Sequence, residues 1–299
     1  MNTLAQTRPD PPRGPAEPVF TDEDFACIAR IAQREFGLSL PSAKKDLVQS
    51  RLMRRLRALG CADFAAYCAR VDGPDGAEER AELVSALTTN VTHFFREAHH
   101  FRLLEEICLT PHLPALRAGR RLRLWSAGCS AGPEPYSMAM TVLAALPDAP
   151  RLNLRILATD IDPAILDRAR SATYGSDEIR AIPEPLRRAH LEPAGPDRHR
   201  IVAGTAGRVH FAALNLMADW PLRGPFDAIF CRNVAIYFDK PTQERLWQRL
   251  ARLLRPGGLL CIGHSERLHG PATGLVTSAG ITAYRRNDPA HPLGERTDR

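Results

Sequence analysis

Arg123–Met140, RLWSAGCSAGPEPYSMAM, decides the fold. Leu122, Leu124 and Trp125 form a short apolar run that reads as a buried strand, and the run breaks at Ala127-Gly128 into a loop of Gly, Cys, Ser and Ala. Small residues there let a ligand lie against the backbone. From Pro135 onward, Tyr136, Met138, Ala139, Met140, Val142 and Leu143 recur at helical spacing, with proline at a tolerated early position. Strand, small-residue turn and helix in that order predict a cofactor cleft in a doubly wound α/β sheet.

Gly128 and Gly132 stand too far apart for G-x-G-x-x-G, which disfavours a dinucleotide. Glu134 at the mouth of the helix points the same way, because a carboxylate beside a helix N-terminus repels pyrophosphate. Cationic groups or free hydroxyls suit it better. S-adenosylmethionine, with a sulfonium, an ammonium, a ribose and no phosphate, is such a ligand; taken by itself the loop reads equally as an ordinary tight turn.

The 299 residues are 44% hydrophobic and 25% charged, ordinary for a globular chain with room for one large core or two modest ones. No apolar run approaches the roughly 20 residues of a membrane span, and the Pro-rich start lacks the apolar centre of a signal peptide. A cytoplasmic protein without direct membrane insertion is expected. Seven cysteines include no C-x-x-C pair and mostly sit in apolar company, so reduced core thiols are expected rather than a disulfide framework or a zinc site. The net charge of +6 favours an acidic partner without naming one.

Residues 1–18 hold five prolines and read as a disordered lead-in. Residues 19–87 read as an all-helical domain, starting at an N-cap on Thr21 and continuing in helices near Ser42, over Ala62–Val71 and over Ala77–Leu87. On the second of these, Arg51, Arg54 and Arg57 form a stripe beside an apolar face of Val48, Leu52, Leu56 and Leu59. The stripe is either a solvated surface or a dock for an acidic helix or a phosphate backbone. Thr88–Phe101, TTNVTHFFREAHHF, then brings Asn90, Thr92 and Arg96 to a turn or helix start; the spacing of its histidines gives no metal set.

Residues 88–286 alternate strand and helix. Asp160 falls at the carboxyl end of a strand beginning at Leu154, where an acid accepts bonds from ribose hydroxyls, whereas Asp162 reads as the N-cap of the next helix. Residues 174–208 break the rhythm as an inserted subdomain, with a hairpin expected between Arg200–Val202 and Arg208–Phe211. Buried strands follow at Phe226–Cys231 and Leu259–Gly263, separated by a helix over Thr242–Leu254, and an antiparallel edge closes the sheet near Leu275–Val276 and Ile281–Tyr284. The tail from residue 287 is polar and expected to be mobile.

Five stretches in one order, TTNVTHFFREAHHF, WSAGCSAGPEPYS, ATDID, FDAIFCRNVAIYFD and LLRPGGLLCIGHSE, resemble the chemotaxis receptor methyltransferases of the CheR family, over about Phe20 to Tyr284. The resemblance implies a Rossmann-like S-adenosylmethionine-dependent methyltransferase domain with a small inserted β-subdomain, preceded by an all-helical domain. It implies a cofactor site of Asn90, Thr92, Arg96, Gly128, Glu134, Asp160, Asn215, Leu216, Arg232 and Asn233, with Arg96 and Tyr237 facing the transferred methyl group. The implied reaction is esterification of glutamate side chains on the acidic cytoplasmic helices of chemoreceptors, leaving S-adenosylhomocysteine. A partner for the Arg51, Arg54, Arg57 stripe is thereby supplied, and a monomer recruited to membrane receptor arrays, with no metal and no nucleic acid, is expected. Ala131 and Pro133 depart from the family's usual Thr and Glu, and Leu191–Arg208 is short and Gly-rich for a segment that grips a receptor peptide in some relatives. A nucleic-acid methyltransferase would also explain basic charge, but amino-methylating enzymes generally carry Asn/Asp-Pro-Pro-aromatic, which CRNVAIYF is not. A cofactor-sensing adaptor without catalysis is the other alternative.

Overall fold

The computed structural model describes residues 18–146 and 153–288. Residues 1–17 of the expected lead-in and 289–299 of the expected tail lie outside the described residues.

The chain opens with four helices. Helix α1 (Asp22–Phe36) starts on Thr21, whose hydroxyl accepts from the Asp24 N–H while the Asp24 carboxylate accepts from the Thr21 N–H, a reciprocal cap. Gly37, at φ 71°, ends it. Helix α2 (Lys45–Leu59) follows a 3-10 turn at Ser42–Lys44 and stops at Gly60; α3 (Phe64–Asp72) is capped by Asp63, and α4 (Ala77–Leu87) completes the group. Ile28, Ile31, Leu52, Leu56, Phe64, Tyr67 and Leu83 pack between them as a buried cluster. Burial of that apolar surface holds these short helices together, since none is long enough to be stable alone.

After a turn at 94–98, α5 (His99–Leu103) runs into a π-helical stretch at Leu104–Leu109 and then α6 (Leu113–Arg117). The alternating part contains β1 (Leu122–Ala127), α7 (Pro133–Ala145), β2 (Leu154–Asp160) and α8 (Pro163–Ser171). Next come β3 (Thr173–Gly175), α9 (Glu184–His190), β4 (Leu191–Pro193), β5 (Arg198–Ile201) and α10 (Ala203–Ala206). The chain closes with β6 (Val209–Ala213), β7 (Phe226–Cys231), α11 (Lys240–Leu253), β8 (Leu254–Ile262), β9 (Val276–Gly280) and β10 (Ala283–Arg286). The main sheet has the order β6-β2-β1-β7-β8-β10-β9, parallel through β8, with β10 and β9 antiparallel at the edge.

This is a Rossmann-like α/β domain preceded by an all-helical one, with a small antiparallel sheet beside the main one. Strand parity explains the layers. Ile229, Cys231, Leu260 and Ile262 face the cluster shared with α11 and the four N-terminal helices, while Ala228, Phe230, Leu259 and Cys261 face α5 and α7. The sheet thereby buries both faces.

Two sequence expectations need correction. The hairpin expected between Arg200–Val202 and Arg208–Phe211 does not form: β5 pairs with β3 and β4 in the small sheet, whereas β6 joins the main sheet parallel to β2. Both runs alternate apolar and polar, so local pattern could not reveal that α10 separates them into different sheets. The strand expected from Leu259 begins instead at Leu254, because Arg255-Pro256-Gly257-Gly258 is absorbed as an irregularity in its pairing with β7.

Candidate active site

The chain fills the sheet outward from β1 on one side through β2 to β6, then crosses back to β7 and β8 on the other. The carboxyl ends of β1 and β7 therefore flank the point where strand order reverses, the place where open α/β sheets bind ligands. A cleft of about 420 Å³ lies there. Asn90, Thr92, Arg96, Gly128, Glu134, Asp160, Asn215, Leu216, Arg232, Asn233 and Tyr237 all line it.

Two glycines shape the loop after β1, of which Gly128 lines the cleft. Gly128 adopts φ 81°, and a Cβ there would stand 2.3 Å from Val234 Cγ2; Gly132 adopts φ 95°, and its Cβ would meet the Tyr174 hydroxyl at 2.8 Å. Only glycine fits either place. The Tyr174 hydroxyl, from the inserted sheet, donates to the Ala131 carbonyl at 2.7 Å, so the insert buttresses the loop after β1.

Carboxylates supply most of the polar lining. Asp160 accepts from the Ser130 N–H at 2.8 Å and the Asp162 N–H at 3.2 Å, and burial lifts its carboxyl above the usual range against the pull of those donors. Asp162 caps α8 as expected and also accepts from the Asn90 amide. Glu134 accepts from the Ser126 hydroxyl at 2.7 Å and from Arg232 Nη1 at 3.1 Å. Burial pushes its carboxyl up, with the Arg232 guanidinium opposing. Each oxygen of Asp160 and Glu134 keeps acceptor capacity for a ligand.

Arg232 is the buried hub. Its guanidinium also donates to the Arg96 carbonyl and lies 3.6 Å from Glu97. Burial raises the Glu97 carboxyl, but Arg232, His100 and His264 outweigh it and hold the group below the ordinary glutamate range. His100, fully buried, is pushed down to about 4 by burial and by the nearby Arg232 charge. Glu97, His99 and His100 bring possible ligand atoms within 4.8 Å of one another, yet both histidine Nε2 atoms already pair with the Ile281 carbonyl, and Arg232 supplies the cluster's positive charge. Phe95, Glu97, Ser130 and Asn233 all take positive φ without being glycine, a concentration of backbone strain at the cleft.

The loop after β7 is held by Glu266. Its buried carboxylate accepts from the N–H groups of Gly263, Asn233, Ala235 and Ile236 at 2.5, 3.0, 2.7 and 3.3 Å. Tyr237 follows on that loop. Its hydroxyl meets the Thr89 backbone, accepting from the N–H at 3.2 Å and reaching the carbonyl at 3.3 Å. Arg96, on the opposite segment, donates to the Val91 carbonyl. Asn215 spends its amide on the fold, donating to the Glu35 carbonyl and accepting from the Met217 N–H.

Some lining residues were not anticipated. Phe36, Leu38 and Val84 come from the helical domain, and Ser130, Ile161, Leu214 and Val234 from loops around the sheet. Glu97 and Glu266 sit inside quoted motifs, but only their partners far along the chain reveal their work. The basic stripe also needs revision. Arg54 and Arg57 are exposed, whereas the Arg51 fork turns inward onto the carbonyls of Ala86, Leu87 and Thr88 and the Thr89 hydroxyl. Arg55, beside the stripe on the same helix, is paired with Glu79 and Glu82.

Comparison with known proteins decides the family. Residues 90–284 match the model described as "CheR methyltransferase, SAM binding domain", and residues 23–88 match "CheR methyltransferase, all-alpha domain". The chain belongs to the CheR methyltransferase family. A probable chemotaxis protein methyltransferase of Rhizobium etli is 46% identical over 83% of this chain and 94% of its own length. Chemotaxis protein methyltransferase 2 of Pseudomonas aeruginosa is 45% identical over 94% and 99%, and the chemotaxis protein methyltransferase of Escherichia coli is 42% identical over 83% and 85%. S-adenosylmethionine is the cofactor of this CheR domain. The cleft fits it: Gly128 and Ser130 bring the loop after β1 to its wall, and the Asp160 and Glu134 carboxylates there present acceptors suited to hydroxyl and ammonium groups rather than to phosphate. No helix among the described residues is long and apolar enough to cross a membrane.

Proposed function

We propose that this CheR protein esterifies glutamate side chains on the cytoplasmic helices of chemoreceptors. The observation that carries the reading is the single cleft in which Gly128, Glu134 and Asp160 lie together with Arg96 and Tyr237. When bound, S-adenosylmethionine supplies a methyl group activated by the sulfonium. Asp160 would hold its ribose hydroxyls and Glu134 its ammonium end, with Asn90, Thr92, Asn215, Leu216, Arg232 and Asn233 completing the walls.

A glutamate, with a reference pKa near 4.3, is already ionised at neutral pH. No general base is needed. The enzyme must align a weak nucleophile, and alignment alone supplies on the order of 7 to 11 kcal/mol. Arg96 orients the incoming carboxylate through one oxygen, leaving the other to attack, since a fork on both would quench the lone pairs. Tyr237, on the loop held by Glu266, gives a second orienting bond by turning its hydroxyl proton from the Thr89 carbonyl to the substrate carboxylate while still accepting from the Thr89 N–H. Arg54 and Arg57, exposed on α2, draw the acidic receptor helices in.

The test pairs calorimetry with S-adenosylmethionine and tritium transfer to a receptor cytoplasmic fragment. The product should be base-labile, as an ester is. Tight cofactor binding without label transfer would leave a sensing adaptor in its place, and base-stable label on RNA would leave a nucleic-acid enzyme.

A further inference from the structure

Arg51 stands on the helix read as the docking surface, yet its guanidinium faces away from solvent partners. Nη1 donates to the carbonyls of Ala86, Leu87 and Thr88 at 3.2, 2.9 and 3.1 Å, and Nη2 donates to the Thr89 hydroxyl at 2.9 Å. Those carbonyls end α4, where the helix leaves acceptors unpaired and its dipole favours a cation. A fork is suited to this place because its donors lie in one rigid plane.

Thr89 is gripped a second time, from the other side of the cleft. The Tyr237 hydroxyl holds its backbone N–H and carbonyl at 3.2 and 3.3 Å. Tyr237 is in turn fixed through its own carbonyl, which accepts from the Ser39 N–H at 2.7 Å, and through the neighbouring N–H groups that Glu266 binds. A continuous path of ordinary hydrogen bonds therefore runs from α2 through Arg51 and Thr89 to Tyr237. Arg54 and Arg57 lie about one and two helical turns further along the same helix, so whatever engages them binds the element that holds Thr89.

We infer that Arg51 is a positioning residue that couples engagement of α2 by the acidic substrate helix to the placement of the Tyr237 hydroxyl, with Thr89 as the shared grip. This rests on the reading of Tyr237 as a residue of the methyl-transfer site. Arg51 is thereby separated from Arg54 and Arg57: they set how the substrate arrives, and it sets what the catalytic loop does afterwards.

A double-mutant cycle on the full chain tests the coupling, with ester formation on a receptor cytoplasmic fragment as the readout. Arg51→Gln and Arg51→Lys should each lower kcat about tenfold, leaving the receptor KM and its salt dependence within about twofold of wild type. In the Arg51→Gln background the Tyr237→Phe loss should shrink by at least about threefold, because the hydroxyl is no longer held in place. Independent, multiplicative losses would overturn the inference, as would a salt-sensitive rise in receptor KM, which marks a docking cation instead. Thr89→Ala removes one acceptor of the fork without touching the α4 carbonyls and should shift kcat in the same direction, which serves if Arg51→Gln does not fold. Hydrogen exchange at the Thr89 amide reads the grip without any chemistry. It should be protected in the wild type and faster in Arg51→Lys; equal rates would refute the coupling even in an active enzyme. A wild-type protein that protects this amide but esterifies nothing would instead refute the functional reading.

Discussion

Val234 rests directly on Gly128: a Cβ added to the glycine would lie 2.3 Å from Val234 Cγ2, well inside contact distance. The loop after β7 thereby closes onto the loop after β1. Gly128→Ala must push the two apart and also force alanine to φ 81°. We expect at least about tenfold weaker binding of S-adenosylhomocysteine by calorimetry and a stability loss of about 1 to 3 kcal/mol. Unchanged affinity would show that the cofactor lies elsewhere.

Arg96 and Tyr237 bracket the cleft from segments more than a hundred residues apart in the chain. If they orient the substrate carboxylate, Arg96→Ala should lower kcat by about 10²-fold, a larger loss than any it causes in cofactor affinity. Near-normal ester formation by this variant would remove Arg96 from the mechanism.

Glu266 offers two oxygens to four backbone donors. Glu266→Gln keeps the size but replaces one acceptor by a donor, so at least one N–H of the loop loses its partner, at a cost of about 1 to 3 kcal/mol. Cofactor affinity and turnover should fall together, since Asn233 and Tyr237 ride on the same loop. Full activity with unaltered thermal stability would contradict this.

His100 is neutral in the folded protein down to about pH 4, whereas the unfolded chain protonates it near 6.5. Below 6.5 the unfolded state binds the extra proton, so stability contributed by the neutral ring is present above that value and is lost as pH falls toward 4. The loss amounts to about 3 kcal/mol once both values are passed. Denaturant titrations of wild type and His100→Gln between pH 7 and 4 should show a shallower acid decline in the variant; parallel curves would exclude His100 as the source.

Arg54 lies exposed on α2. Charge reversal, Arg54→Glu, should raise the receptor KM several-fold at low salt and matter little at high ionic strength, with kcat unchanged. A salt-independent effect would point to a structural role.

Much of the sheet was legible because each parallel strand is a run of apolar residues ended by a chemically distinctive one, as Ala158 is followed by Asp160 and Cys231 by Arg232-Asn233. Asp162 could be separated from Asp160 by position alone, since one precedes a proline-started helix and the other ends a strand. Glu266, Glu97 and Arg51 resisted the same treatment. Each acts on groups brought near only by folding: Glu266 on the Asn233 N–H, Arg51 on the Ala86 and Leu87 carbonyls, Glu97 on the Arg232 guanidinium. The misplaced hairpin near Arg200 fails for a related reason, because short alternating strands carry no label for the sheet they join. Positive φ at Phe95 and Glu97 likewise has no sequence signature, both being residues that ordinarily avoid it.

The first helices do more than present a basic face. Phe36 and Leu38 reach into the cleft, Leu38 pairs with Phe238 across a single bridge, and the Ser39 N–H binds the Tyr237 carbonyl. A chimera that exchanged this bundle for another, in the hope of redirecting the enzyme to a different receptor, would therefore also replace one wall of the reaction chamber. If the bundle selects the receptor as proposed, retargeting and rate are not separable modules, and a graft has to carry Gly37–Ser39 along with a compatible Phe238.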